Sequence, residues 1–264
     1  MVEVSGLSLV YGSAKNATVA LQGVNGHFEE GKFSAILGPS GCGKSSLIKI
    51  IAGLKKPTEG SVAIKGVPLQ GVRKNTALIF QDFGLLPWKT VKANAELPLR
   101  FSVGRGQERR KAYEKAGFLL EKFGLKGFER AYPGELSGGM KQRLAIVRAL
   151  LMEPELFLMD EPFSSLDSFS REDAQDFFLS IKQELCATII MVTHSIEEAV
   201  YMADTVHVMA GRNPGALKHS LSISRGADSH SRFRESSRFH ESCTFLRKLM
   251  KEDLGSATPG GEQS

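Results

Sequence analysis

Gly38-Pro39-Ser40-Gly41-Cys42-Gly43-Lys44-Ser45 sets the architecture that the rest of this chain must fit. It matches G-x-x-x-x-G-K-[ST] and follows directly on the apolar run Phe33-Ser34-Ala35-Ile36-Leu37, so strand, glycine loop and helix come in the order a phosphate-binding loop requires. A phosphate tail needs several donors aimed at one small volume, and glycines let successive backbone N–H groups curl around it without side-chain obstruction. Lys44 supplies a point charge for the β- and γ-phosphates, and Ser45 a hydroxyl for Mg²⁺. The helix that opens there adds the positive end of its dipole. Cys42 reads as a small filler inside the loop, and Ser46 completes the nucleotide-contact set.

The helix expected from Lys44 to Leu54 carries Leu47, Ile50, Ile51 and Leu54 at i, i+3, i+4, i+7, one inward face. Downstream, Leu156-Phe157-Leu158-Met159 runs into Asp160-Glu161, as a buried parallel strand delivers acids at its C-terminal end. With a phosphate loop upstream, Asp160 suits a water-mediated hold on Mg²⁺ and Glu161 the orientation or deprotonation of a hydrolytic water. A second run, Thr188 to Thr193, ends at His194, which can hydrogen-bond a γ-phosphate or serve the structure. Gln81 follows the strand expected over Thr76 to Phe80 and is a candidate contact to metal or attacking water.

Ser137-Gly138-Gly139 opens a helix running to about Leu151, with Met140, Leu144, Val147 and Leu151 on its inner stripe. Those residues read either as a bare helix end, and so a second anion site, or as an ordinary Ser N-cap after a glycine loop. Asp167 precedes a helix expected from about Ser168 to Leu185 and is either its N-cap or a contact across an interface. Tyr11 stands between two expected strands, residues 2 to 10 (interrupted at Ser5-Gly6) and Thr18 to Phe28, and either stacks on a base or packs at a sheet edge. Helical periodicity between Asp82 and Gly134, strongest over Gln107 to Phe123, marks a helical insertion. Trp88 lies in a loop there, as a partner contact or an internal plug.

Composition narrows the class. The chain has 264 residues, 42% of them hydrophobic, enough for one sizeable core with a small subdomain. No apolar run approaches the ~20 residues that cross a bilayer, and Met1 to Val10 lacks a basic segment ahead of a long apolar one. The expectation is a chain that neither spans a membrane nor is secreted. Cys42, Cys186 and Cys243 show no metal-type spacing, which suits a reducing cytoplasm. The net charge of +5 is spread over scattered residues without interleaved aromatics, so no nucleic-acid partner is expected. Residues 224 to 264 are rich in Ser, Arg and His, with one helix expected over Phe233 to Leu254 and disorder over Gly255 to Ser264.

Taken in order, Gly38 to Ser45, Gln81, Leu136 to Met140, Asp160-Glu161, Ser165-Leu166-Asp167 and His194 resemble the nucleotide-binding subunit of an ATP-binding cassette transporter. The resemblance covers about residues 2 to 223. It implies an α/β fold with a P-loop NTPase core on a parallel sheet, an N-terminal antiparallel β subdomain, and an α-helical insertion at about 82–150. Residues 224–264 are then a C-terminal extension. It further implies that Tyr11 stacks on adenine, that Asp167 belongs to a D-loop, and that ATP lies between one copy's loop and the Ser137, Gly138 and Gly139 signature of another. One motif set per chain implies a homodimer, closed by ATP and released by hydrolysis.

Met140 stands where glutamine is usual in that family, Ser165 where alanine is common, and Ser195 where aspartate is frequent. None of these removes a phosphate donor or metal ligand. Met140-Lys141-Gln142-Arg143 and Leu85 to Val91 are similar to the nitrate, sulfonate and taurine importer branch. The implied partners are transmembrane permease subunits, seated near Gln81 to Trp88, and indirectly an extracytoplasmic solute-binding protein. The implied place is peripheral, on the cytoplasmic face of the cell membrane. The competing class is a soluble, non-transport cassette ATPase acting on ribosomes or DNA. That class usually carries two cassettes or a long coiled-coil insertion, and neither is present.

Overall fold

The computed structural model describes residues 1–12, 16–102, 106–182, 185–211, 214–225 and 230–255. In chain order, β1 (Val2–Tyr11), β2 (Thr18–Phe28) and β3 (Phe33–Leu37) lead into α1 (Lys44–Ile51), then β4 (Glu59–Ile64), β5 (Val67–Pro68) and β6 (Thr76–Ile79). Four helices follow: α2 (Val91–Ala95), α3 (Leu99–Ser102), α4 (Gln107–Lys122) and α5 (Gly138–Leu150). The remainder is β7 (Leu156–Asp160), α6 (Ser168–Lys182), β8 (Thr188–Thr193), α7 (Ile196–Met202), β9 (Thr205–Ala210), β10 (Ala216–Ser222), α8 (His230–Glu235) and α9 (Ser237–Gly255). Two compact units result, one of Met1–Val72 with the chain from Thr188 onward, the other of Arg73–Ala187.

In the first unit, an antiparallel sheet orders its strands β2-β1-β4-β5. The break expected at Ser5-Gly6 is a bulge within a continuous β1: Gly6 has φ 55 and the pairing with β2 shifts between Val4 and Leu7. The bulge keeps Val2, Val4, Leu7 and Leu9 on the buried face. A second set of strands places β3 between β8 and β9, parallel to both, with Leu37 opposite Thr193 on one side and Val208 on the other. β10 closes that edge antiparallel to β9. Every residue of β3 and β8 is buried, as in strands covered on both faces.

Two boundaries differ from the sequence expectation. α1 stops at Ile51, because Gly53 adopts φ 74 and the amides of Gly53 and Leu54 return to the carbonyls of Ile50 and Lys49 at 2.9 Å each. This glycine cap leaves Leu54 outside the helix and 51% exposed, so Leu54 is no part of the inner stripe. The C-terminal segment forms two helices where one was expected. Ser236 separates them, its hydroxyl donating to the Phe233 carbonyl at 2.7 Å and accepting from the Phe239 amide at 3.3 Å. Phe233, Phe239 and Leu246 are buried in the same unit. Of the stretch Gly255 to Ser264 expected to be disordered, Gly255 ends α9, and the rest lies outside the described residues.

In the second unit β6 and β7 pair in parallel, Ile79 opposite Met159, and helices dominate the intervening chain. α4 buries Ala116, Leu119 and Leu120, and Phe123 at its end meets Phe177 edge-on with ring centroids 4.9 Å apart. No helix among the described residues is long and apolar enough to cross a membrane.

One buried titratable group sits in the first unit's core. His207 on β9 is 5% exposed, stands edge-on to Phe28, and shares a 2.8 Å hydrogen bond between Nδ1 and the Ser220 hydroxyl. Burial, with a smaller contribution from His27, pushes its pKa down from 6.5 to about 4. Because the folded value lies below the unfolded one, stability is full above pH 6.5, falls as the unfolded chain takes up a proton, and levels off near pH 4. The expected loss across that window is about 3 kcal/mol. Urea unfolding of wild type and His207→Phe from pH 7.5 to 4 checks this: the difference between the two proteins should shrink as the pH falls.

Candidate functional site

The C-terminal ends of β3 and β8 lie side by side, so the glycine loop and His194 leave the same place. The Gly38 amide donates to the Thr193 carbonyl at 3.3 Å. Gly38 is walled in: a Cβ there would stand 2.4 Å from the Met209 carbonyl and 2.9 Å from Cys42 Sγ. The loop turns through Gly41 (φ 82) and Gly43 (φ 97), both in the left-handed region that favours glycine. Cys42 is fully buried, in line with its reading as filler, while Ser40 and Gly41 are exposed.

α1 begins at Lys44 with no side-chain cap and no acidic residue in its first turn, leaving the dipole end for an anion. Lys44 is 4% exposed and folds back along the loop, donating to the carbonyls of Gly38 at 2.9 Å and Pro39 at 2.8 Å. Its ammonium is thereby held over the concave side of the turn. Ser45 and Ser46 are half-buried in the first turn. Tyr11 reaches this turn: its hydroxyl lies 3.1 Å from Ser46 Oγ, and the Lys55 ammonium sits 4.8 Å from its ring centroid.

His194 is exposed and precedes Ser195, the N-cap of α7, whose hydroxyl accepts from the Glu198 amide at 3.2 Å. The serine at this position therefore supplies the capping oxygen that an aspartate would. Sequence reasoning missed a further support of the loop. Gly215, between β9 and β10, packs against the Cys42 carbonyl, which would stand 1.8 Å from an added Cβ, while its amide donates to Ala20 at 3.1 Å.

In the second unit, Asp160 ends β7 and is 6% exposed, and Gln81 follows β6 and is exposed. The parallel register brings these two strand ends to one side of the pair. Glu161 has φ 48, unusual for a residue with a side chain, and its carbonyl accepts from both the amide and the hydroxyl of Ser164, at 3.2 and 2.9 Å. Such strained backbone concentrates at functional positions. The buried Gln142 of α5 donates to the Pro162 carbonyl at 3.1 Å, and Arg171 of α6 holds the carbonyls of Phe163 at 3.2 Å and Leu166 at 2.8 Å. The turn after the acids is thus fixed from two helices.

Ser137 and Gly138 are exposed at the start of α5. The helix end is not bare as one reading expected: Ser137 caps it, its hydroxyl accepting from the Met140 amide at 3.3 Å. A Cβ on Gly138 would stand 2.8 Å from Leu166, so the glycine lets the signature approach the segment before Asp167. Asp167 caps α6 through the Ser170 amide at 3.0 Å, and its hydrogen bonds with Ser170 hold its carboxyl below the usual carboxylate range. Among the described residues no cluster of three or more His, Cys, Asp or Glu forms a metal cage.

Trp88 is 71% exposed, which rules out the internal plug. Its loop is built from within. Arg148 of α5 donates to the carbonyls of Phe83 and Gly84, both at 2.6 Å. The fully buried Asn94 of α2 accepts from the Leu86 amide at 2.8 Å and donates to the Lys89 carbonyl at 2.9 Å. Burial draws the Arg148 guanidinium below its ordinary value, partly offset by Asp82.

Comparison with known proteins agrees with this geometry. The family model "ABC transporter" matches residues 21–164. The nitrate import ATP-binding protein NrtD of Synechocystis sp. is 39% identical over 227 residues, 86% of this chain and 84% of that protein. The aliphatic sulfonates import ATP-binding protein SsuB of Bacillus licheniformis is 44% identical over 213 residues, 80% of each. A solved dimeric ATP-binding cassette in a post-hydrolysis state bound to ADP and Pi is similar with a TM-score of 0.72 and 32% identity, over 85% of this chain and 99% of that one. The loop, the strand-end acids and these matches have one conclusion: the chain belongs to the ABC transporter family, as one of its ATP-hydrolysing import subunits.

Proposed function

We propose that two copies of this chain bind and hydrolyse ATP on the cytoplasmic face of the membrane to drive uptake of a small oxyanion, nitrate or a sulfonate, through a separate permease. The observation that carries this reading is the end of β3, where Lys44 folds over a glycine loop leading into an uncapped helix N-terminus. The solute class is supported by the relatives that import nitrate and sulfonates. The dimer is supported by the solved dimeric cassette. An extracytoplasmic solute-binding protein delivers the solute to the permease and does not touch this chain.

Each residue's part follows from its chemistry. The amides of Gly41, Gly43, Lys44 and Ser45 and the Lys44 ammonium neutralise the phosphates, with Gly38, Pro39, Ser40, Cys42 and Ser46 shaping the loop around them, and Tyr11 stacks on adenine. Ser45, Gln81 and Asp160 are the oxygen donors suited to Mg²⁺, which when bound offsets charge on the phosphate oxygens. Glu161 accepts a proton from, or aims, the attacking water, and His194 donates to the γ-phosphate. Ser137, Gly138 and Gly139 reach the nucleotide held by the partner copy, with Asp167 beside them at the interface. The region around Gln81 to Trp88 receives the permease.

Lys44→Ala should weaken ATP binding itself, whereas Glu161→Gln should keep ATP binding, cut turnover by about a hundredfold or more, and trap the closed dimer. Nucleotide titration, turnover and gel filtration together check this, and wild-type turnover by Glu161→Gln would remove that acid from the reaction. Gly215→Ala should displace the Cys42 carbonyl and weaken ATP binding on the order of tenfold, acting through the backbone of the loop. Recovery of the purified complex with ribosomes or DNA instead of a membrane protein would overturn the transport reading.

A further inference from the structure

The C-terminal segment from Arg225 onward takes no part in the site above, yet it grips the helix that begins just after His194. At the C-terminal end of α7, Arg225 donates to the Ala203 carbonyl at 2.6 Å and the Tyr201 carbonyl at 3.3 Å, and pairs with Asp204 at 2.8 Å. A guanidinium suits this place: its planar fork meets the last carbonyls of a helix and a carboxylate at once. The other oxygen of Asp204 accepts from the Phe33 amide at 2.9 Å, at the first residue of β3. Arg225 therefore ties the end of α7 to the start of the strand that carries the phosphate loop.

On one face of α7's last turn, the Arg234 guanidinium of α8 lies 3.8 Å from the ring centroid of the buried Tyr201. At its N-terminal turn, Glu197 accepts from Arg247 of α9 at 2.8 Å. Glu197 is three residues from His194, and its carboxylate also lies 3.3 Å from the hydroxyl of Ser195, the cap between them. Both ends and one face of α7 are thus held by three arginines of the C-terminal segment.

We infer that Arg225 and Arg247 are positioning residues, through which the C-terminal helices set the orientation of α7 and hence the reach of His194 toward the γ-phosphate. This rests on the role of His194 proposed above. The expected signature is a loss of turnover without a loss of ATP binding, because the loop that binds the nucleotide is not what these arginines hold directly.

The test is steady-state ATP hydrolysis by full-length Arg247→Glu, Glu197→Arg, the double charge swap, and Arg225→Lys, with His194→Ala in parallel. Each charge reversal should lower kcat about threefold, as fits an exposed ion pair, with KM for ATP within twofold and the melting temperature unchanged. The swap should restore most of the lost rate. Arg225→Lys, which keeps the charge and loses the fork, should lower kcat about tenfold. The ring signals of His194 in NMR spectra should shift in the single variants and return in the swap. Wild-type kcat in the single variants, or a loss that the swap does not rescue, overturns the inference while His194→Ala remains impaired. Wild-type turnover by His194→Ala overturns the role of His194 and this route with it.

Discussion

The register of β3 between two parallel neighbours is the constraint on which the rest depends. Leu37 stands opposite Thr193 and Val208, and all three strands carry side chains into buried layers. A slip of one residue would turn every side chain of β3 to the opposite face and move the mouth of the loop by about 3.3 Å. Held in register, Gly38 finds the Thr193 carbonyl, and the Met209 carbonyl forbids any side chain at that point. The antiparallel sheet moulds the other side, since Leu21 and Ala20 crowd the place of a Cβ on Gly43. The loop's shape is therefore a product of strand pairing as much as of its glycines.

Most of this was legible where the signal is local. The apolar runs at Phe33, Leu156 and Thr188 are strands of the stated kind, because burial on both faces demands uninterrupted apolar side chains. The acids, the histidine and the glutamine each stand at the C-terminal end of a strand or just after it, as read. Capping was also legible: Ser137 and Asp167 both accept from a backbone amide three residues on, one of the two readings their positions allowed. The bare helix end was the less economical reading, since a serine beside unpaired amides bonds one of them.

What escaped the sequence is side chain to backbone contact across long separations. Gln142 to Pro162, Arg148 to Phe83 and Gly84, and Arg225 to Tyr201 and Ala203 have no period and no fixed spacing, so nothing in a single chain marks them. Gly215 is similar: its need for glycine is created by the Cys42 carbonyl, far away in sequence. The C-terminal helices misled for another reason. Their apolar residues are spaced as one helix would space them, and the break comes from Ser236, whose hydroxyl bonds the Phe233 carbonyl and the Phe239 amide, a local contact that periodicity does not mark.

Glu161 carries its carboxylate on a backbone at φ 48, a conformation that costs of order 1 kcal/mol or more for a residue with a side chain. A glycine there would relieve that cost while deleting the acid. Selection for a sturdier protein and selection for a faster one therefore pull in opposite directions at this single position. Screens of variants by melting temperature alone would favour molecules that hold together longer and turn over less, and residue 161 would be among the first places where the two rankings part.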